Sequence, residues 1–477
     1  MREELIPPRH PPRTAARPAA AGSLVAALLA ALVPSPAAAA ALPPAEGLRL
    51  VEELASPREA VRESAAERLV AAGDRSLLAP LVDQLFFTRT AQREQILRTL
   101  VALSGESSPA RYLDWVEHVS GRQDAAPPPG YLGWKGRLFA RIDPRYGEML
   151  VDGMPIRIAP QEIVSGGVPF DGIPSLDAPR HVPAARADYL EDGELVFGAR
   201  VGGEARAWPL RILSWHEMLN DRLGGEPVTL SFCTLCRSAL LFRARLPSGD
   251  ETTFGTSGLL YRSNKLMFDR RTRTLWANLT GEPVLGPLAA EPRPLEMLPL
   301  TVTTWAAWRR DHPDTTVLAL EADRGWRHGY DYRPGAADAR RAGVSFPVPA
   351  RSRLLPDQEE VYGLRLGAAV KAYPVRALAA AGVVNDTLGG EPVVLHSEAG
   401  SGAVRAFRRG GERFAPGPAP GEVVDGLGRV WRVTEEALVP VEPVTPPLPR
   451  LPGNLAWWFG WFAFYPQTEV YSPAAPP

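Results

Sequence analysis

A chain of 477 residues with 45% apolar and 22% charged side chains is globular and long enough for two or three domains. Its formal net charge of -1 offers nucleic acid or an anionic membrane nothing to hold, so composition argues against both partners. Only two cysteines are present, while 50 prolines and 43 glycines call for many turns and short strands.

Arg2, Arg9, Arg13 and Arg17 precede the apolar run Ser23 to Val33, and the alanines from Ala37 offer small-residue cleavage sites. Residues 1–41 therefore read as a secretory signal peptide. The run is short and is broken by Pro34 and Pro36, so no stable membrane span is expected. The mature chain is expected outside the cytoplasm, periplasmic or secreted. There, two nearby thiols persist as a disulfide, a metal pair or a cycling redox couple.

Residues 47–122 read as a small all-α region. Ser56-Pro-Arg-Glu59 has the form of a capping box with proline at the first helical position, and Gly73 is a stop. Further helices are expected over residues 76–86, 91–103 and 109–119. Paired short helices of this kind resemble HEAT-type repeats, and their expected use is as an interaction surface. Residues 123–186 begin with the linker Ala125-Ala-Pro-Pro-Pro-Gly130 and continue as turns and short strands.

The rest of the chain repeats itself. Val196 to Arg211 realigns on Val361 to Arg376, and Asn220 to Val228 realigns on Asn385 to Val393, without a gap. Near the ends, Trp305 and Trp308 match Trp458 and Trp461. The expected architecture is an α+β, internally duplicated β-rich domain: unit 1 over 187–320, a connecting excursion over 321–354, and a degenerate unit 2 over 355–473. Each unit starts as a hairpin, the first turning at Gly202-Gly203, then a helix closed by a Gly-Gly pair, then strands. The aromatic run Trp457 to Tyr465 reads as a packed helix.

Duplication supplies an internal control. Asn220-Asp221, Arg211 and the Gly-Gly-Glu-Pro turns recur and are assigned to caps and turns. Only unit 1 carries Cys233, Cys236 and His216, which align with Glu398, Ser401 and Ala381. The Cys-x-x-Cys pair falls in a tight turn between strands, unlike a pair that opens a helix and gains its dipole. Ile212, Trp215, His216, Leu219 and Leu223 form one stripe at helical spacing, which would aim His216 at the cysteine strand. Met267 and Asp269 are secondary ligand candidates against the plainer reading of a packed methionine and a turn aspartate. His396 aligns with Ser231 and is a further candidate if the units pack face to face.

These stretches resemble a bacterial family known as domain of unknown function 3179. The resemblance covers about residues 140 to 475 and rests on Glu162-Ile-Val-Ser-Gly-Gly, Asp171-Gly-Ile-Pro174, His216-Glu-Met-Leu-Asn-Asp221, Cys233-Thr-Leu-Cys236 and Phe254-Gly-Thr-Ser-Gly258, with Leu275-Trp276. The family's Cys-Pro-x-Cys-Gly knuckle is altered here by Thr234 and Arg237. The resemblance implies an extracytoplasmic protein and no established reaction.

Thiolate and imidazole ligands suit copper or zinc, so the leading expectation is a metal site on Cys233, Cys236 and His216 with an unknown protein or metal donor as partner. The alternatives are a thiol-disulfide redox couple, with Arg237 beside Cys236, and a non-catalytic binding module fixed by a structural disulfide. Phosphate-loop, nucleophile-elbow and His-Glu-x-x-His motifs are absent, and no nucleotide cofactor is expected.

Overall fold

The computed structural model describes residues 42–106, 111–320, 332, 343–443 and 445–473. The segment read as a signal peptide lies outside these residues, as does most of the excursion between the units. Among the described residues, no helix is long and apolar enough to cross a membrane.

The fold is α+β: helices first, then a β-rich body. The helix Glu59–Ala72 starts later than its capping box suggests, because the Ser56 hydroxyl accepts from the Arg58 amide and holds Pro57 and Arg58 in a turn outside the helix. It stops where expected, at Gly73 in the left-handed conformation. Leu78–Phe86, Thr90–Ser104 and Tyr112–Val119 follow the expected spans closely. Two more helices, Tyr131–Phe139 and Arg145–Met149, occupy sequence expected to form turns. Proline and glycine at 127–130 end before them, so the turn signal ran ahead of the apolar periodicity. The helices share one apolar core with the strands Phe254–Tyr261 and Asn264–Asp269, through Trp115, Tyr146, Leu259 and Phe268 among others.

Two four-stranded arrangements recur in the body. In one, Thr301–Thr304, Leu195–Val201, Glu204–Pro209 and Thr316–Leu318 lie side by side; in the other, Gly453–Trp457, Glu360–Leu366, Ala369–Pro374 and Glu469–Val470 do. Registers correspond: Gly198 opposes Ala207, and Gly363 opposes Ala372, while Ala207 pairs in parallel with Val317 and Ala372 with Val470. Over each glycine lies a tryptophan. A Cβ at Gly198 would sit 2.3 Å from the Trp308 ring, and one at Gly363 2.1 Å from the Trp461 ring. Trp308 and Trp461 each donate from the indole nitrogen to a threonine hydroxyl, Thr315 and Thr468, both at 2.9 Å.

The helices after these hairpins are shorter than the sequence stripe suggested. Leu210–His216 ends at Glu217, and Met218–Leu223 is a strand; Val375–Ala381 and Val383–Leu388 do the same. Residues four apart share a face in a helix and in a strand alike, so Leu219 and Leu223 could not separate the two.

Asn220 and Asn385, expected in caps, sit on these strands and act as clamps. Each side chain donates to and accepts from the backbone of one residue on a neighbouring strand, Phe254 and Phe414 respectively, at 2.7 to 2.8 Å. The second clamp joins the two ends of an eight-stranded sheet, giving a nearly closed barrel.

Replacing Gly198 with alanine forces a methyl into Trp308, and overpacking of this kind costs about 1–3 kcal/mol. The expected result is a Tm several degrees lower in thermal unfolding. The penalty should largely vanish in a Trp308→Leu background, and equal losses in both backgrounds would refute the contact.

Candidate functional site

Cys233 is the last residue of the strand Glu226–Cys233 and opposes Ser238, first of the strand Ser238–Arg243. The turn between them closes through Arg237 at φ 53, a left-handed position that glycine occupies in unit 2 as Gly402. Both cysteines are free thiols, and they are 1% and 0% exposed. The second unit covers the turn. The Trp457 amide donates to the Cys236 carbonyl at 2.8 Å, Phe459 and Ala463 share a buried cluster with both cysteines, and a Cβ on Gly460 would lie 2.5 Å from that of Cys236. The aromatic run is thus a buried helix, Trp458–Phe464, as expected, and it also walls the cysteine turn.

On the other side stands a hairpin that sequence reasoning did not connect with the thiols. Its two turn residues, Arg262 and Ser263, have φ 52 and 56, the geometry of a tight two-residue turn. That turn presents Asn264 and Lys265. The Asn264 amide donates to Cys236 Sγ at 2.8 Å and to Ser238 Oγ at 3.1 Å, and Asn278 donates to the same hydroxyl at 3.1 Å. The Lys265 ammonium, 4% exposed, donates to the carbonyls of Glu217 at 2.6 Å and Phe232 at 3.0 Å and lies 3.7 Å from the Glu217 carboxylate. Strand pairing is irregular between Lys265 and Met267, as where a bulge re-aims a side chain.

Glu217 completes the group. It ends the helix at φ 57, where unit 2 has Gly382 at φ 68, so a residue with a side chain occupies a conformation that costs about 1–2 kcal/mol. Its carboxylate accepts from the Thr234 hydroxyl at 3.2 Å. Cys233, Glu217, Lys265, Thr234 and Thr256 line a recess of about 150 Å³ together with apolar groups such as Val168, Leu259 and Phe346. Cys236 lies behind Cys233 and is not part of the lining.

The electrostatics separate the two thiols. Burial works to raise Cys233, but a hydrogen bond from the Cys236 thiol and the nearby Lys265 ammonium prevail over it and over Glu217, and hold Cys233 below the ordinary cysteine range. Cys236 is pushed well above that range by burial first, then by its partner. Burial lowers Lys265, against the attraction of Glu217 and both sulfurs.

The other sequence candidates lie elsewhere. His216 is 1% exposed, with Nδ1 2.7 Å from the Pro174 carbonyl and Nε2 hydrogen-bonded to the Tyr332 phenol. Both ring nitrogens are engaged, and a ligand needs one of them. Met267 is packed with Trp276, Trp458 and Trp461. Asp269 accepts from the Thr272 amide and hydroxyl and the Trp276 indole, which is the turn role. His396 opposes Val383 and Arg405 in unit 2 and does not line the recess. Burial, aided by Arg405, pushes it down to about 4. Among the described residues, no group of three or more His, Cys, Asp or Glu side chains is gathered to hold a metal ion.

Lys265 and Glu217 are the residues that sequence reasoning missed. A signal for Glu217 was present, since the aligned position in the other unit is a glycine. No curated protein and no solved structure matches the chain. The sequence profile of a family described as proteins of unknown function, DUF3179, matches residues 170–468, which include Glu217, Cys233, Cys236 and Lys265. The chain belongs to the DUF3179 family.

Proposed function

We propose that the chain is a thiol-based redox protein in which Cys233 attacks and Cys236 resolves. The observation that carries this reading is the unequal setting of the pair: Cys233 lines the recess together with the buried Lys265, and Cys236, outside the lining, is held by the Asn264 amide. A thiolate is the nucleophile in thiol-disulfide chemistry, and a neighbouring cation favours it. Two electrons leave the pair as its S–S bond forms, and the oxidant receives them.

The remaining elements of the reading fit around that pair. The arginines and apolar run near the N-terminus support an extracytoplasmic setting. Matching registers, glycine–tryptophan contacts and asparagine clamps support two copies of one unit, of which the second has no thiols and serves as a wall. Copper or zinc on Cys233, Cys236 and His216 has less support, since two sulfurs alone are an incomplete set and His216 is held by Pro174 and Tyr332.

A redox titration in dithiothreitol buffers, brought to equilibrium, tests the reading. The expected midpoint falls between about -270 and -120 mV, the span of cycling dithiol proteins, whereas one below about -300 mV would mark a structural bridge. Elemental analysis belongs beside it: stoichiometric copper or zinc that is lost in a Cys233→Ser, Cys236→Ser variant would move the assignment to metal binding.

Alkylation by iodoacetamide gives the second test, because its rate rises with pH as the thiolate forms. The Cys236→Ser variant isolates Cys233 for this purpose. Its midpoint should move upward when Lys265 becomes methionine, since a stabilising cation is lost, and downward when Glu217 becomes glutamine, since a repelling anion is lost. Midpoints unmoved by either change would remove both residues from the site.

A further inference from the structure

A disulfide on a protein surface cannot reach a thiol that is 1% exposed, and among the described residues the ionisable side chains that line the recess are Cys233, Lys265 and Glu217. A space of about 150 Å³ holds a molecule the size of benzene, roughly six heavy atoms. Resting on the redox reading above, we infer that the oxidant of this pair is a small hydroperoxide, admitted to the recess and reduced at Cys233.

The residues supply each part of the step. The Cys233 thiolate attacks the terminal oxygen of R–O–O–H; an S–O bond forms and the O–O bond breaks. The departing alkoxide, or hydroxide from hydrogen peroxide, takes a proton from the Lys265 ammonium, which regains one from solvent. Cys233 is now a sulfenic acid, two electrons more oxidised. The Cys236 sulfur then attacks the Cys233 sulfur, the S–S bond forms, and the hydroxyl leaves as water with the thiol proton of Cys236. In sum, one dithiol and one hydroperoxide give one disulfide, one alcohol and one water, and a small dithiol of the dithiothreitol class restores the pair.

A non-redox substrate would leave the second thiol without a use. A bulky disulfide would need the wall of Leu259, Phe346 and Val168 to open. Lys265 lies at the end of the hairpin whose tip also holds Asn264 against Cys236, so one turn sets both the proton donor and the resolving thiol.

The experiment follows thiol loss and peroxide consumption in the reduced full-length chain with hydrogen peroxide, tert-butyl hydroperoxide, cumene hydroperoxide and glutathione disulfide. The expected result is one hydroperoxide consumed per two thiols. The two smaller peroxides should react about 100-fold faster than they do with the denatured chain, the scale of an activated nucleophile with a positioned acid. Cumene hydroperoxide should be slower by about tenfold or more, since its ring and side chain exceed roughly six heavy atoms. Cys236→Ser should accumulate a sulfenic acid, read as one added oxygen in the intact mass, and Lys265→Met should slow the peroxide step about tenfold or more.

Fast oxidation by glutathione disulfide, with peroxide rates no higher than in the denatured chain, would overturn the hydroperoxide assignment and leave the redox reading intact. Failure of every oxidant to form the disulfide would overturn both. The size series uses unaltered protein, so the inference stays exposed even where a Lys265 variant does not fold.

Discussion

Burying an ammonium is the constraint around which the site is arranged. Lys265 is 4% exposed, and an unpaired charge at that depth would shed its proton rather than stay. It is kept by two backbone carbonyls, the Glu217 carboxylate and the field of two sulfurs. Each of these partners is in turn fixed by an element that must meet the hairpin: Glu217 by the end of a helix, Phe232 by the cysteine strand, and the thiols by the turn that follows it. The ammonium thereby ties a helix end, a strand and a hairpin into one small volume. The same charge opposes the rise that burial would impose on Cys233, so a structural necessity and a chemical property have one cause.

Strain marks the same place. Glu217 and Arg237 are non-glycine residues in left-handed conformations, at positions where the other unit has Gly382 and Gly402. Glycine at either site would relieve the backbone but remove a charge that has a partner. What unit 1 retains for its strain is a carboxylate facing Lys265 and a guanidinium 3.1 Å from Glu360 across to the second unit. Both side chains flank the cysteines, one on the side of the recess and one on the side of Trp457.

Much of this was legible in the sequence, and the illegible parts have physical reasons. The cysteine turn between strands, the Gly202-Gly203 hairpin and the buried aromatic helix follow from local alternation, turn residues and repeat comparison. The helix bearing His216 was read too long because Leu219 and Leu223 satisfy either periodicity. His216 was expected to face the thiols; its two nitrogens instead answer to Pro174 and Tyr332, neither of which local spacing could identify as a partner. Lys265 was hidden for the opposite reason. A lysine within Asn264-Lys-Leu-Met-Phe-Asp269 looks like a solvated strand residue, and only the tight turn at Arg262 and Ser263, with irregular pairing after Lys265, directs it inward.

Residues 355–473 hold no cysteine, yet their packing around Cys233 and Cys236 is close. Gly460 has no room for a side chain against Cys236, and the Trp457 amide meets the Cys236 carbonyl. At the positions aligned with the two cysteines, Glu398 and Ser401 still bond to each other at 3.0 Å, and Glu398 pairs with Arg310 of the first unit. A closed wall over one face of the turn leaves the recess beside Lys265 as the approach to Cys233. The thiols and the wall that restricts access to them thus come from different parts of the chain.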